Sequence, residues 1–580
     1  MKNARSRPLA HPLTRREFFD AGARGAIGAM AALAAGPAVR KDGGLSSAAV
    51  PFSRRLARSG RASRAALASS ARIEILAGEP PIGTVSPLLY GHFTEHIGGV
   101  VYDGIWVGED SPVPNIGGIR RELVDWLRRI RPGVIRWPGG CFADSYDWRD
   151  GVGPRSARPC RTNFWANARE MRAAPDGPQK YDPNEFGTNE FVRFCRLAGA
   201  EPYIAANVRG LTAADFDDWV DYCNAPRGKT SLADARAAGG DPDPFGVRYW
   251  GVGNESWGCG GNFTPEAYAA EFRRFVAWVP EHGLPLSFIA SGPSGDDLEW
   301  TRRFFAKLTE RDRGLLRTVF GWGLHYYCGT SGKGQAVDFT VDDWYDLLAK
   351  ADAMGPLVEK QWAAMGEIDA AHRVKLVVDE WGAWHEAGTE IDPAFLFGQM
   401  PTMRDALIAA LTLDTFNRHA DKVAMANVAQ LINNLHSLFL ARGDRFCATP
   451  NFHVFEMYAA HQGGQSLRTV FTAPPVGEYA PGKTSPLWGL AGSASLHGRG
   501  LVVTAVNPSA KDALDVEVVL RGVSARDGRL RVLASGDIHD HNTFDDPRAV
   551  EPREVKIKAR GDRFGVKLPP ASVSLIEVAL

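Results

Sequence analysis

The sequence has no surplus of charge of either sign: 67 Lys and Arg residues balance 67 Asp and Glu residues over 580 positions. A neutral chain carries no overall field to draw it to nucleic acid or to an anionic membrane, so the partner it implies is small or uncharged and is not a nucleic acid. Cysteine is scarce. The seven positions (Cys141, Cys160, Cys195, Cys223, Cys259, Cys328 and Cys447) are odd in number and include no CxxC pair, which fits neither a zinc-site spacing nor a disulfide framework needed for folding. No glycine cluster follows G-x-G-x-x-G, so the dinucleotide-binding fingerprint is missing. Past the first forty residues no apolar run is long enough for a bilayer, which argues against a stable membrane span. What remains is ordinary globular material, 44% hydrophobic and 23% charged, long enough for more than one domain. Sixteen Trp residues would suit sugar stacking, although large cores bury Trp as well, and composition alone favours the core.

The amino terminus does carry a pattern. Thr14, the pair Arg15 and Arg16, Phe18 and Phe19 precede a weakly apolar Ala/Gly segment from Ala21 to Val39 that contains Arg24. This resembles a twin-arginine signal over residues 1–40, followed by an Arg-, Ser- and Ala-rich linker over 41–70. It predicts export through the twin-arginine pathway to the periplasm or beyond. Twin-arginine cargo crosses already folded, so disulfides are not required, though one could form after export.

From about Ser86 to Phe455, apolar runs (GVIRWPGG, EPYIAANV, VRYWGVGN, LSFIASGP, FGWGLHYY, VKLVVDE, AMANVAQL) alternate with amphipathic stretches such as IRRELVDWLRRI and TNEFVRFCRLAG. Apolar residues three and four apart in the latter mark helices, and the repeat is βα. Arg136, Asn207, Asn254, Glu255, His325, Glu380 and Gln430 sit at or just past the ends of the runs. A (β/α)8 TIM barrel produces this placement, because the loops at the carboxyl ends of its strands build the site. After Met457 the texture becomes short strands between Gly, Pro, Asp and Asn. The predicted organisation is α/β: a strand at 71–85 joining the second domain, a barrel over 86–456, and a jelly-roll-like all-β sandwich over 457–580.

YWGVGNESWG places Asn254 and Glu255 after one apolar run, and VVDEWGAWHE places Asp379 and Glu380 after another, amid Trp381, Trp384 and His385. Glycoside hydrolysis needs one carboxyl group to protonate the departing oxygen and a second to attack or to activate water. A barrel can bring two such strand ends together. A lone Glu there could equally be a salt bridge or a helix cap. HFTEH, His92 to His96, has the H-x-x-E-H spacing of a zinc protease motif, which works on a helix. Pro87, Gly91, Gly98 and Gly99 disfavour a helix here. Read as a strand end, the segment puts Phe93 and Glu95 on one side and His92 and His96 on the other, with no third ligand. No metal and no cofactor are implied, since carboxyl groups supply the chemistry.

These motifs, with IRWPGGCFADSYDWRDGVGP, LHYYCG, NVAQLINNL and TPNFHVFEMYAAHQGG, resemble the α-L-arabinofuranosidases of glycoside hydrolase family 51 from about Ile73 to the carboxyl terminus. The resemblance implies a retaining, exo-acting hydrolase of terminal α-L-arabinofuranosyl residues on plant polysaccharides or oligosaccharides. Glu255 corresponds to the acid/base on barrel strand 4, and Glu380 to the nucleophile on strand 7. It further implies that Asn254 bonds the sugar 2-hydroxyl, Tyr327 holds the nucleophile, and His325, Gln430, Arg136 and Glu95 complete the polar shell. Trp384 corresponds to an aromatic wall, and Trp165 to an aglycone contact or a loop-packing residue. Cys141 stands where well-known members carry Asn, and a thiol is the poorer hydrogen-bond partner for sugar. A homo-oligomer is also implied. The alternatives are an endoglucanase or β-xylosidase on the same site, and an inactive carbohydrate-binding protein.

Overall fold

The computed structural model describes residues 71–168, 177, 179–328, 334–477 and 487–580. The predicted signal segment 1–40 and linker 41–70 lie outside the described residues. Eight parallel strands close into a barrel in sequence order. They are β1 (Gly91–Phe93), β2 (Val134–Trp137), β3 (Glu201–Ala206), β4 (Tyr249–Val252), β5 (Ser287–Ala290), β6 (Val319–Tyr327), β7 (Lys375–Gly382) and β8 (Val423–Ala429).

Alternation of side chains divides each strand between two cores. Val134, Tyr203, Tyr249, Ile289, Val377 and Met425, one from each of six strands, pack together inside the barrel. Their neighbours in sequence Ile135, Ile204, Trp250 and Val378 belong to the larger core between strands and helices. The first crossover helix, Arg121–Ile130, buries Leu123, Val124, Leu127 and Ile130, the one-sided stripe its periodicity predicts. Glu122 in its first turn and Arg128 and Arg129 in its last complement the helix dipole. Thr212 and Asp215 form a reciprocal capping box on the helix Ala213–Asn224 after β3.

The carboxy-terminal part is a pair of sheets with four and seven strands, enclosing a separate apolar core that includes Ile73, Val503, Val518, Phe564 and Ile576. The strand Ala71–Ile75 lies between Thr469–Thr472, to which it is antiparallel, and Leu514–Leu520, to which it is parallel. A barrel with a carboxy-terminal antiparallel β domain is the architecture the sequence reading expects. The two parts share a buried polar contact: Asp414, on the barrel helix Met403–Arg418, accepts hydrogen bonds from Ser493, Thr504 and Tyr458. Among the described residues no helix is long and apolar enough to cross a membrane.

Candidate active site

Arg136 follows Val134 by two positions on β2, so alternation also turns it inward. Its guanidinium packs 4.7 Å from the Phe93 ring centroid and forks between two acceptors: Nη1 donates to Glu380 Oε1 at 2.8 Å and Nη2 to Asn254 Oδ1 at 2.6 Å. The acceptors come from different strand ends, and the fork ties them together. Alternation alone cannot place Glu380, because Asp379 already points inward and accepts from Tyr203 Oη at 2.9 Å. The pairing register shifts on both flanks of β7, between Gly323 and His325 on β6 and between Val378 and Trp381 against β8. Such irregularities re-aim a side chain. Here they let consecutive residues 379 and 380 both reach the interior.

Glu255 lies in the turn after β4 at φ 38°, just behind Gly253 at φ 80°. A non-glycine residue in the left-handed region costs on the order of 1–3 kcal/mol unless its surroundings fix it. Here they do so through Asp144, fully buried in the loop after β2. Its carboxylate accepts from the backbone N–H of Asn254 at 2.9 Å, of Val208 at 2.7 Å and of Arg209 at 3.1 Å. Burial pushes the Asp144 carboxyl up to about 7 despite those three donors. The Ser256 N–H adds a bond to Ser291 Oγ at 3.1 Å. The sequence offers little to mark Asp144. The only signal was an acidic residue set among apolar neighbours in CFADSY.

The carboxylates meet over His325 on β6. Its Nδ1 lies 3.0 Å from Glu255 Oε1 and 3.5 Å from Glu380 Oε2. One oxygen of each glutamate and a ring nitrogen of His325 all fall within 4.8 Å of one another. Tyr327 Oη donates to Glu380 Oε2 at 2.8 Å, so both Glu380 oxygens have donors. Burial raises the Glu380 pKa, but His325, Arg136 and the Tyr327 hydroxyl outweigh it and hold the carboxyl below its ordinary range. Burial disfavours imidazolium at His325, and the charges of Glu380 and Glu255 reverse that, raising its pKa to about 8. Glu95 accepts from the Gly140 and Phe142 N–H groups and, at 3.4 Å, from Gln430 Nε2. Burial, and then the Glu380 charge, push Glu95 up to about 7. A Cβ at Gly140 would stand 2.7 Å from Glu380 Oε1 and push that carboxylate out of its fork with Arg136.

Trp384 meets the Tyr327 ring edge-on at 5.7 Å and tilts against Phe397 at 4.8 Å, and Trp165 packs edge-on to Phe397 at 5.7 Å. Trp165 is thus one ring removed from Trp384. Cys141, expected to contact the sugar as a poor hydrogen-bond partner, is oxidised. It is joined to Cys259, 118 residues away, in a disulfide whose sulfurs lie 3.9 and 3.6 Å from Glu255 Oε2. It therefore has no S–H to offer a sugar.

His92 and His96 of HFTEH go to separate places. His92 is buried against Phe455 with no hydrogen-bond partner among the described residues, and its imidazole pKa is pushed down to about 3 by burial. His96 Nδ1 bonds Asp182 at 2.6 Å, and its Nε2 accepts from Trp137. Asn207 ties its own loop to the one after β2, donating to the Tyr146 carbonyl and accepting from the Gly210 N–H. Trp381 is packed between Phe416 and Phe455, and His385 is buried against Asp405 at 2.9 Å, so neither faces the carboxylates.

Two family models match the chain: an α-L-arabinofuranosidase 1 domain over residues 126–313 and an α-L-arabinofuranosidase C-terminal domain over residues 379–572. An intracellular exo-α-L-arabinofuranosidase of Bacteroides ovatus is 35% identical over 84% of this chain and 92% of its own length. An intracellular exo-α-(1→5)-L-arabinofuranosidase of Streptomyces lividans is 29% identical over 86% of this chain and 74% of its own. Among solved structures, the GH51 arabinofuranosidase of Xanthomonas axonopodis pv. citri superposes with a TM-score of 0.81 at 34% identity, covering 88% of this chain and all of that one. The relatives' names overturn the export reading. The B. ovatus and S. lividans proteins are both named intracellular, and the twin-arginine pattern lies outside the described residues, so periplasmic or extracellular location is withdrawn.

Proposed function

The chain belongs to the α-L-arabinofuranosidases of glycoside hydrolase family 51, and from that premise we propose a retaining exo-α-L-arabinofuranosidase in which Glu380 attacks and Glu255 handles the proton. The carrying observation is the pair itself. One oxygen of each carboxylate lies within 4.8 Å of the other, a nearest approach in keeping with the roughly 5–5.5 Å carboxyl separation of a retaining pair.

The surroundings give the two groups different work. Glu380 is ionised, held on one oxygen by Arg136 and on the other by Tyr327, which suits a nucleophile aimed at the anomeric carbon. Glu255 is the more exposed of the two, 22% against 8% of its side chain, and so can meet the leaving-group oxygen. In the first step Glu380 forms an ester to the arabinosyl carbon while Glu255 gives its proton to the departing oxygen. In the second, the ionised Glu255 takes a proton from water as that water displaces Glu380. Arg136 and Asp144 fix Asn254, which supports its assignment to the 2-hydroxyl, where contacts strengthen as charge develops. Glu95 and Gln430 supply further polar contacts, and Trp384 a stacking wall.

The substrate side of the proposal is terminal arabinofuranosyl on plant polysaccharides or oligosaccharides. Product analysis on linear arabinan, arabinoxylan and carboxymethyl cellulose tests it: free arabinose from the first two supports the reading, whereas xylose or glucan fragments as the main product would replace it. Family resemblance also supports a homo-oligomer. Light scattering that returns the mass of a single chain would refute that part.

A further inference from the structure

The disulfide partners do more than brace two loops. Sγ of Cys141, Sγ of Cys259 and one oxygen of Glu255 lie within 4.8 Å of one another, and Glu255 is shared with a second cluster formed with His325 and Glu380. Both cysteines are half-buried rather than sealed in the core, so a small reductant can reach them. While the S–S bond stands, neither sulfur carries the negative charge a metal ion needs. Once it opens, two thiols and a carboxylate face one point.

We infer that the reduced pair, together with Glu255, forms a binding site for a thiophilic divalent cation of the zinc class, and that occupation of this site blocks turnover. Two thiolates and a carboxylate are a donor set for Zn²⁺, Cd²⁺ or Co²⁺ and a poor one for Mg²⁺ or Ca²⁺. With Zn–S bonds of about 2.3 Å, tetrahedral ligation parts the sulfurs to roughly 3.8 Å. The Cα atoms of the pair are 5.5 Å apart, so side-chain rotation supplies that separation. These three residues leave the fourth coordination position to water. A cation held at Glu255 Oε2, the oxygen both sulfurs approach, neutralises the carboxylate that must carry the proton, so binding and hydrolysis are mutually exclusive. The site is independent of which sugar is cleaved; only its effect on turnover rests on the reading of Glu255 given above.

The redox step balances with a phosphine. It attacks one sulfur and the S–S bond breaks, two electrons passing to the disulfide. Water then supplies the oxygen of the phosphine oxide and the two protons that end on Cys141 and Cys259. Binding of the cation afterwards releases two thiol protons to solution.

The test uses the full chain, oxidised or reduced with a water-soluble phosphine and freed of excess reagent, titrated with Co²⁺ and then with competing Zn²⁺. The reduced chain is expected to show thiolate-to-cobalt charge-transfer absorption at one cation per chain, with affinity on the order of 100-fold above that of the oxidised chain. Reduced Cys259→Ser should lose a similar factor. Zn²⁺ should abolish arabinofuranosidase activity of the reduced chain but not of the oxidised chain, and a chelator should restore it. Equal binding by oxidised and reduced chains would overturn the inference, as would an unchanged cobalt spectrum in Cys259→Ser, which would assign the signal to the remaining thiols. If that variant fails to fold, comparison of the two redox states of the unaltered chain decides. A chain that binds the cation as described yet cleaves no arabinofuranoside would refute the proposed activity and leave the site standing.

Discussion

Replacing Arg136 by Lys keeps a buried positive charge and removes the fork. Arg136 is 1% exposed and donates through separate nitrogens to Glu380 at 2.8 Å and to Asn254 at 2.6 Å. A single ammonium on an unbranched stem cannot span both acceptors in those positions. One charge-assisted hydrogen bond is worth about 1.5–3 kcal/mol, so losing one of the two predicts a fall of roughly 10- to 150-fold in kcat/KM. The charge near Glu380 survives, so the acidic limb of the pH profile should move little, while KM should rise because Asn254 loses its anchor. The assay is hydrolysis of p-nitrophenyl α-L-arabinofuranoside across the pH range, with a thermal melt to confirm folding. Activity within about threefold of the parent, less than roughly 0.7 kcal/mol, would refute the idea that one guanidinium aligns the two strand ends.

Glu255→Ala should lose orders of magnitude on arabino-oligosaccharides, whose leaving groups need a proton, and less on an activated aryl arabinoside; added azide should restore turnover and yield an arabinosyl azide, detectable by mass spectrometry. Tyr327→Phe removes the 2.8 Å bond to Glu380 Oε2, so kcat should fall about 10- to 150-fold and the acidic limb should shift upward, measured by stopped assays against pH. His325 is raised in the folded chain from 6.5 to about 8, so its charged form contributes stability that is complete below about pH 6.5 and is lost as pH rises through about 8. Chemical denaturation of parent and His325→Asn should therefore show a stability difference that shrinks by about 2 kcal/mol over that window; a difference independent of pH would contradict it.

The barrel was legible because its strands are short apolar runs, with polar residues such as Arg136 and Glu255 placed at their ends. A strand end in a parallel barrel has only one face on which to present chemistry. Other features depend on three-dimensional proximity that a linear reading does not contain. The register shifts that turn Glu380 inward beside Asp379 belong to pairings with β6 and β8, not to β7 itself. The Cys141–Cys259 bond joins loops after β2 and β4 over 118 residues, so a search for close cysteine spacings passes over it. Asp144 is legible only as an acidic residue that three backbone donors happen to surround. Trp381 and His385 mislead in the opposite direction: their nearness in sequence to Glu380 suggests a sugar site, yet both are buried behind it.

The central claim is tested most directly by trapping the enzyme with a slow, fluorinated arabinofuranoside and mapping the adduct by peptide mass spectrometry. One arabinosyl unit esterified to the peptide containing Glu380, released on addition of an acceptor alcohol, is the expected result. A label on the Glu255 peptide, or turnover of the same reagent with inversion and no adduct, would contradict it.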